Sequence, residues 1–346
     1  MTLSVHIRGL GIYTPSRRLT NHDLTRIVDT TDEWIVSRSG IKERRIAAPG
    51  ETNADLAAKA AKTALEKANV SPDEIDLLIV ATASAESSVP SVACSIHHKL
   101  GLRPGIPSFD VSAACSGFLY LLQIAVQMLR SGEYHNALVV ASEKLSAITD
   151  WQDRSTCVLF GDGAGAAVLA IADSNNGGAY IPSASRPSAS ILGTVLGSDG
   201  SKGDLLSIVP RTPPFPQPQE NLPVGTHVIS MNGREIFRNA VRVMSQACRD
   251  VLKKCNVQPS QLALIIPHQA NLRIIDAIAG ELDLPLELFK VNLDRYGNTS
   301  AASIPIALDE AIHETRLKNG DIFLLVAFGG GFTWGATLLK WNQPKI

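Results

Sequence analysis

The sequence has few cysteines, and their arrangement argues against two kinds of covalent stabilisation. Among 346 residues there are five cysteines, an odd number, and no two of them form a CxxC pair. A disulfide framework and a zinc site both need paired or clustered cysteines. We therefore expect no metal, no cofactor other than substrates, and a reducing location, the cytoplasm.

Long apolar runs and an excess of charge of one sign are also missing. No stretch approaches the roughly 20 apolar residues that cross a bilayer, and the N-terminus lacks the basic and apolar regions of a signal peptide. The formal net charge is −1, so an acidic partner would have to dock on a local patch. We expect neither membrane insertion nor nucleic-acid binding.

What the chain has in quantity is apolar residues. They make up 45% of the sequence, against 19% charged residues, which suits a large core and more than one structural unit at this length. Short β-branched runs alternate with helical segments, a pattern typical of an α/β fold. The predicted strands are 77–81, 138–141, 263–266 and 322–327, and the predicted helices are 53–69, 116–130, 234–255 and 304–317.

The chain also repeats itself, in order. The matching segments, at shifts of 187 or 188 residues, start at residues 64 and 251, 110 and 298, and 130 and 318. Three matches at nearly one shift indicate two related halves, each a layered βαβ-type unit. We predict an N-terminal half at 1–182 and a C-terminal half at 231–346, with the active site where the two equivalent helix starts meet.

The segment between the halves, 183–230, is rich in proline, serine and glycine, above all at 210–223. Proline removes a backbone donor and fixes φ, so it disfavours central strands and helices. The composition therefore predicts an extended surface loop that connects the halves.

Cys115 lies at a predicted strand-to-helix turn, just before the helix at 116–130. Unpaired N–H groups and the helix dipole stabilise a thiolate at such a position, and a thiolate can hold an acyl group as a thioester. A small buried core cysteine is the alternative interpretation. The other four cysteines lack this setting, and we expect them to be structural.

Two polar residues and a glycine cluster stand at strand or helix ends in the second half. His268 follows the strand at 263–266, where a side chain can project into a site, and Asn298 precedes the second helix start. The three glycines at 329–331 allow the backbone to approach a ligand with its N–H groups, as an oxyanion hole requires. A loop histidine, a turn asparagine and a tight turn are the respective alternatives.

Together these segments resemble one family. In order along the chain, DVSAACSGF, DRSTCVLFGDGAGA, MNGREIF, PHQANLRI, YGNTSAAS and AFGGGFTWG are similar to the motifs of β-ketoacyl-acyl-carrier-protein synthase III, a condensing enzyme of the thiolase superfamily. The resemblance implies a five-layered αβαβα fold built from two related halves, and a homodimer. It also implies decarboxylative condensation of an acyl-CoA primer with malonyl-acyl-carrier protein (malonyl-ACP) to 3-oxoacyl-ACP, initiating fatty acid synthesis.

The resemblance also implies roles for individual residues. Cys115 would carry the acyl thioester, while His268 and Asn298 would donate to the malonyl thioester carbonyl as CO₂ leaves. The further implied sites are an oxyanion hole at the N–H groups of Cys115 and Gly330, CoA binding at Trp34, Arg38, Arg154 and Asn271, an acyl pocket at Val89 and Phe328, and docking of the acidic carrier protein at Arg238 and Arg273.

Three departures from the family pattern affect the expected primer more than the chemistry. Ser155 stands where glycine is common, the insertion at 210–223 is long, and Val89 stands where some relatives carry phenylalanine. The smaller valine predicts that primers longer than acetyl are accepted.

Other activities remain as alternatives. The first is a sibling enzyme with the same Cys-His-Asn site that joins two acyl-CoAs head to head or serves secondary metabolism. A papain-like thiol hydrolase shares the order Cys, His, Asn but not the sequence around its cysteine. The glycine-rich stretch that begins at Gly161 matches a dinucleotide-binding fingerprint only weakly.

Overall fold

The chain is described by a computed structural model that covers residues 4–172, 187–211, 222–223 and 225–343. The strands are β1 (Ser4–Tyr13), β2 (Arg17–Thr20), β3 (Glu43–Ile46), β4 (Leu77–Ala81), β5 (Ser108–Val111), β6 (Asn136–Glu143), β7 (Gly163–Ala172), β8 (Ser188–Ser198), β9 (Leu206–Pro210), β10 (His227–Met231), β11 (Leu262–Pro267), β12 (Ile322–Gly329) and β13 (Thr333–Asn342). The helices are α1 (Asn21–Leu24), α2 (Asp32–Ser39), α3 (Asn53–Ala68), α4 (Val92–Leu100), α5 (Gly117–Arg130), α6 (Arg154–Cys157), α7 (Gly233–Cys255), α8 (Leu272–Leu282), α9 (Leu293–Tyr296) and α10 (Ser303–His313).

The elements stack in alternating layers of helix and sheet. Strands β5, β4, β6, β7 and β1 form one part of the sheet, and β8, β13, β12 and β11 form the other. The two parts meet only where His6 and Ile7 of β1 pair with Ser190 and Ala189 of β8. Helices α5 and α10 pack between the parts, α3 and α4 cover the outer face of the first, and α7 and α8 cover that of the second. The order is αβαβα, as predicted.

The sequences of the helices explain which layer each occupies. Helix α5, GFLYLLQIAVQMLR, carries its only charged residue at its last position, and a helix that is apolar on most of its surface has to be buried. Helix α7 instead has one apolar stripe, which packs on the second part of the sheet, and arginines elsewhere on its surface. A central layer and an outer layer follow from these two patterns.

The two halves share one pattern of strand pairing. The pairs β4–β6 and β11–β12 are parallel, whereas β6–β7, β12–β13, β7–β1 and β13–β8 are antiparallel. Asn69 ends α3 and Asn256 ends α7, both with left-handed φ values of 54° and 53°. These asparagines are 187 residues apart, the shift of the first sequence match. The pairing is what two related halves would produce, and the boundaries at 182 and 231 stay a prediction.

At the turns that lead into the central helices, the correspondence differs from the predicted one by two residues. The short 3₁₀ turns Ala114–Ser116 and Ser300–Ala302 each begin with a left-handed residue, with φ values of 44° and 48°. Their shift is 186 residues, not 188. Asn298 therefore corresponds to Ser112 and not to Asp110, whose carboxylate accepts hydrogen bonds from the first turn of α4.

All eight predicted strands and helices are present, and one differs clearly in length. The helix predicted at 304–317 is α10, which ends at His313. Thr315 follows with a left-handed φ of 54°, which ends helical geometry. Among the residues that the structure describes, no helix combines the length and the hydropathy needed to span a bilayer.

The surface loop predicted at 183–230 is wrong in part. Strand β8 is central, between β13 and β1, and β9 pairs with β10 in a separate antiparallel sheet. The prolines of the segment led to the wrong prediction, because none of them lies between residues 188 and 209, where β8 and most of β9 lie, or within β10. Most of the proline-rich insertion at 210–223 lies outside the described residues.

Candidate active site

A cavity of about 820 Å³ opens beside the starts of the two central helices. Cys115, His268 and Asn298 all contribute to its wall. Cys115 comes from the turn before α5, His268 from the residue after β11, and Asn298 from the segment before α10. The cavity has the size of a small-molecule binding site, and it brings together the three residues predicted to carry the chemistry.

Cys115 is only 8% exposed, within the 3₁₀ turn that precedes α5. Burial raises the pKa of its thiol to about 12, against the smaller lowering effect of a hydrogen bond with Ser300. Desolvation therefore outweighs the stabilisation of a thiolate expected at a helix start. The resting form is the thiol, and its attack on a substrate requires a proton acceptor.

His268 is held as a neutral hydrogen-bond donor. Its Nδ1 lies 2.7 Å from Ser303 Oγ, which also accepts a 3.4 Å hydrogen bond from the N–H of Gln269. The hydroxyl proton of Ser303 is then available to Nδ1, which leaves the imidazole proton on Nε2, the other ring nitrogen. Burial lowers the pKa of His268 to about 3, so the ring is uncharged at neutral pH.

Asn298 is oriented by its neighbours on both sides of the chain. Its Oδ1 accepts a 2.8 Å hydrogen bond from the N–H of Ser300, which leaves the Nδ2 protons to donate. Its backbone N–H donates to Leu159, and its carbonyl accepts from Gly161, at 2.8 and 3.0 Å. These two backbone hydrogen bonds hold the segment around Asn298 in place. The start of the GDGAGA stretch therefore has a structural role here and is not a nucleotide-binding turn.

The glycine cluster approaches the turn of Cys115 more closely than any side chain would allow. A Cβ atom on Gly329 would lie 2.6 Å from the backbone nitrogen of Cys115. Thr333, at the start of β13, donates from Oγ1 to the carbonyl of Ala113 at 2.9 Å and accepts from Ser116 Oγ at 2.8 Å. Gly330, predicted to supply an oxyanion N–H, lines the same cavity.

Of the residues expected to bind CoA, Arg38 and Asn271 line the cavity, and Asn271 Nδ2 donates to the carbonyl of Arg38 at 2.9 Å. Trp34 and Arg154 are not part of the cavity wall. The guanidinium of Arg154 lies 4.8 Å from the centre of the Trp34 ring, and that of Arg38 lies 5.8 Å from it. At 4.8 Å the cation touches the ring, so an adenine could enter between them only if Arg154 moved.

The two residues expected to shape the acyl pocket lie in different surroundings. Phe328 lines the cavity, edge-on to the His268 ring at 6.2 Å and to Phe332 at 6.1 Å. Val89 is 84% exposed, in the connection between β4 and α4, and does not contribute to the cavity wall. Of these two residues, only Phe328 is placed within one chain to contact an acyl group bound in the cavity.

The two arginines expected to dock the carrier protein lie at and beside the cavity mouth. Arg273 lines the cavity, with its guanidinium 5.8 Å from the Phe237 ring. Arg238, on α7, lies 3.5 Å from Glu235 and belongs to a neighbouring shallow groove. Three more arginines of α7, which the sequence analysis did not single out, line that groove: Arg234, Arg242 and Arg249.

The sequence analysis also missed a buried polar network behind Cys115. Glu143, the last residue of β6, is fully buried, and its carboxylate accepts hydrogen bonds from the Ala83 N–H at 3.1 Å, Ser84 Oγ at 2.5 Å and Ser300 Oγ at 3.0 Å. Burial raises the pKa of Glu143 to about 7. An acidic residue that ends an otherwise apolar strand was the available signal.

The described residues contain no cluster of three or more His, Cys, Asp or Glu side chains that could hold a metal ion. All five cysteines are free thiols. Among the groups that line the cavity are a thiol, a neutral imidazole, an amide and the hydroxyl of Ser300.

Comparison with known proteins identifies the family of this chain. The model of 3-oxoacyl-[acyl-carrier-protein] synthase III matches residues 109–200, and the model of its C-terminal part matches residues 252–341. The β-ketoacyl-[acyl-carrier-protein] synthase III of Caldanaerobacter subterraneus subsp. tengcongensis is 46% identical over 341 residues, 99% of each chain. The resemblance inferred from the motifs is confirmed.

Solved structures agree with this finding. The crystal structure of 3-oxoacyl-[acyl-carrier-protein] synthase III from Aquifex aeolicus is 48% identical and superimposes with a TM-score of 0.85, over 97% of this chain and 99% of that one. The priming β-ketosynthase of the R1128 polyketide pathway is 34% identical, also with a TM-score of 0.85, over 99% of this chain and 97% of that one.

The burial of His268 leads to a prediction about its charge. Because burial lowers its pKa to about 3, we expect the imidazole to stay neutral, with its proton on Nε2, from pH 8 down to pH 5. Nitrogen NMR of histidine-labelled protein measures this, with the signal assigned through its loss in His268→Gln. A titration of His268 with a midpoint near the ordinary value of about 6.5 would contradict the assignment of a neutral donor.

Proposed function

The chain belongs to the β-ketoacyl-[acyl-carrier-protein] synthase III family, and on that premise we propose that it is an acyltransferase that condenses an acyl-CoA primer with malonyl-ACP. The products are 3-oxoacyl-ACP, CoA and CO₂, and the reaction is the first condensation of fatty acid synthesis. The observation that carries the proposal is the convergence of Cys115, His268 and Asn298 on one cavity.

In the first half-reaction, the thiol of Cys115 attacks the carbonyl carbon of the acyl-CoA. A bond forms between this carbon and Sγ, the bond to the CoA sulfur breaks, and an acyl-Cys115 thioester remains. The N–H groups of Cys115 and Gly330 would donate to the carbonyl oxygen while it carries negative charge. The close approach of Gly329 to the backbone of Cys115 supports this arrangement, as does the presence of both Cys115 and Gly330 in the cavity wall.

In the second half-reaction, malonyl-ACP takes the place of CoA. His268 Nε2 and Asn298 Nδ2 donate to the thioester carbonyl of the malonyl group, and the bond to its carboxylate breaks with release of CO₂. The electron pair left behind forms an enolate, which attacks the acyl-Cys115 carbonyl carbon. The bond from that carbon to Sγ breaks, 3-oxoacyl-ACP is released, and the Cys115 thiolate takes up a proton to restore the thiol. Because decarboxylation generates the nucleophile, the site needs two neutral donors and no carboxylate base beside the substrate.

The outer parts of the site would bind the carriers of the two acyl groups. Trp34, Arg38, Arg154 and Asn271 are proposed to hold CoA, with Arg154 moving off the Trp34 ring to admit the adenine. Arg273 and Arg238 are proposed to receive the acidic carrier protein, supported by the other arginines of α7 beside them. Positive charge at a cavity mouth speeds the encounter with an acidic partner.

We further propose a cytoplasmic homodimer. The five free thiols suit a reducing compartment. The exposure of Val89 suits a residue that is covered by a second copy of the chain and closes the acyl pocket of that copy. The valine would leave that pocket deeper than a phenylalanine would. Each additional methylene of the primer buried there would strengthen binding by roughly 0.8 kcal/mol.

A second candidate activity is the priming reaction of a secondary pathway with the same chemistry. The 34% identity to the R1128 priming ketosynthase, over nearly the whole chain, favours this candidate. Mass analysis of the products from acetyl-CoA and longer acyl-CoAs, each offered with malonyl-ACP or malonyl-CoA, separates the two activities by the primer that is preferred. Head-to-head joining of two acyl-CoAs would give a product without either malonyl substrate.

Because Cys115 is proposed to carry the acyl group while His268 and Asn298 assist decarboxylation, substitutions of the last two should affect only the second step. His268→Ala and Asn298→Ala should keep acyl transfer to Cys115 but slow malonyl-ACP decarboxylation by about 10²–10³-fold each, since each loses one donor to a developing charge. Acyl loading is measured by intact mass, and decarboxylation by CO₂ release.

The control is His98→Ala, which replaces an exposed residue of α4 and should change neither step. Normal CO₂ release by either active-site variant would show that its assigned role is wrong.

The proposed docking of the carrier protein on arginines predicts that a charge reversal there affects malonyl-ACP more than acyl-CoA. Arg273→Glu should raise the KM for malonyl-ACP roughly tenfold at low salt, because it reverses a charge at the cavity mouth. Loading from acyl-CoA should change little, and the difference in KM should shrink as salt screens the charges.

The matched control is Arg103→Glu, an exposed arginine beyond α4 on the opposite outer layer. If Arg273→Glu impairs both substrates equally at all salt concentrations, the surface is not a docking site for the carrier protein.

A further inference from the structure

The proposed reaction leaves one buried ionisable group behind Cys115 without a role. Glu143 has no exposed surface, although a buried carboxylate is costly unless it is fully hydrogen-bonded. Its Oε2 accepts from Ser84 Oγ at 2.5 Å, and its Oε1 accepts from Ser300 Oγ at 3.0 Å. The Ala83 N–H lies 3.2 and 3.1 Å from Oε1 and Oε2. The carboxylate is thus bonded to the segment that follows β4 and to Ser300, which lines the cavity.

Ser300 connects this carboxylate to the nucleophile. Its hydroxyl donates to Glu143 Oε1 at 3.0 Å, and Ser300 lines the same cavity as Cys115, where it lowers the pKa of the thiol. A hydroxyl has one proton to give and lone pairs to accept another, so Ser300 can receive the thiol proton while it passes its own to Glu143. Its backbone N–H is engaged separately with Asn298.

The charged side chains near Glu143 are engaged with other partners. Cys115 is therefore the neighbour whose titration is linked to that of Glu143. Lys144 directs its Nζ to the backbone carbonyl of Glu51 at 2.6 Å. Asp162, the other buried carboxylate at this end of the sheet, is engaged by Ser146 Oγ at 2.6 Å and by the Ala47 N–H at 2.7 Å. The remaining groups that contact Glu143 are neutral hydroxyls and an amide.

We propose that Glu143 accepts the proton of Cys115 through the hydroxyl of Ser300 when the thiol attacks the acyl-CoA. The inference rests on the proposed acyl transfer to Cys115 and adds the proton path that this step requires. His268 is unsuited to the task, because its Nδ1 is engaged with Ser303 and burial lowers the pKa of its imidazole to about 3, which makes the ring a weak base.

The step balances without any further reagent. As the bond between Cys115 Sγ and the acyl carbon forms, the thiol proton moves to Ser300 Oγ and the hydroxyl proton of Ser300 moves to Glu143 Oε1. The bond from the acyl carbon to the CoA sulfur then breaks, and its electron pair stays on that sulfur. The proton on Glu143 returns through Ser300 to the CoA thiolate, which leaves as CoA thiol beside acyl-Cys115.

The ionisation of the two groups matches this task at neutral pH. The pKa of Glu143 is raised by burial to about 7, so the carboxylate form becomes available as the pH rises through neutrality. Above that pH the dominant form pairs the Cys115 thiol with the Glu143 carboxylate, so a reaction in which Glu143 removes the thiol proton no longer gains speed with rising pH. Without Glu143, the thiolate fraction would rise tenfold with each pH unit until the thiol itself titrates.

Alkylation of Cys115 by iodoacetamide tests the proposal in the full-length protein without CoA or carrier protein. The rate, followed by mass spectrometry of the Cys115 peptide, should rise to a plateau with a midpoint near pH 7 in the native protein. In Glu143→Gln and in Ser300→Ala the plateau should disappear, and the rate at pH 7 should fall about 10²-fold. Ser300→Ala keeps the backbone N–H that orients Asn298.

Two further measurements separate this proton path from a structural role. Glu143→Gln should slow acyl transfer from acyl-CoA as it slows alkylation, yet leave malonyl-ACP decarboxylation near its native rate, since that step uses His268 and Asn298. Asp162→Asn, a matched change at a buried carboxylate without contact to Ser300, should keep the plateau.

Three results would overturn the inference: a plateau that persists in Glu143→Gln, a native profile without one, or an equal loss of decarboxylation and acyl transfer. If the native protein alkylates as described but transfers no acyl group from any acyl-CoA, the proposed function fails while the proton path stands.

Discussion

Burial of Cys115, the proposed nucleophile, beside the two parts of the sheet is the constraint on which the rest of the site depends. Removal from water raises the pKa of the Cys115 thiol and of the Glu143 carboxyl and lowers that of the His268 imidazole. Each group is pushed towards its neutral form. A site of this kind cannot rely on fixed charges, and it has to work through hydrogen bonds that direct each proton to one place.

The C-terminal half of the chain supplies the hydrogen bonds that orient His268 and Asn298. Ser303 at the start of α10 sets the tautomer of His268, and the N–H of Ser300 sets the amide of Asn298. In the proposed mechanism both donors would meet a developing enolate without reorganisation, which is where electrostatic stabilisation is most effective. The duplication places the two central helices so that the turn before one carries the nucleophile and the turn before the other carries the groups that orient the donors.

The sequence predicted the parts of the site that local pattern controls. The alternation of apolar runs and turns indicates where strands end and helices start, so the positions of Cys115, His268 and Asn298 could be inferred. The link from Glu143 to Ser300 joins residues far apart in the chain, and no local pattern reports such a contact. Strand β8 was missed because the prolines around it outweighed its own composition, and the resting thiol of Cys115 was missed because desolvation depends on the packing of both sheets.

The central claim is that Cys115 alone carries the acyl group between the two half-reactions. Incubation with radiolabelled acyl-CoA in the absence of malonyl-ACP, followed by proteolysis and peptide mass mapping, measures it directly. The account predicts one acyl group per chain on the Cys115 peptide, which is released as 3-oxoacyl-ACP when malonyl-ACP is added. A stable acyl group on Cys94, Cys157, Cys248 or Cys255, with none on Cys115, would contradict the account.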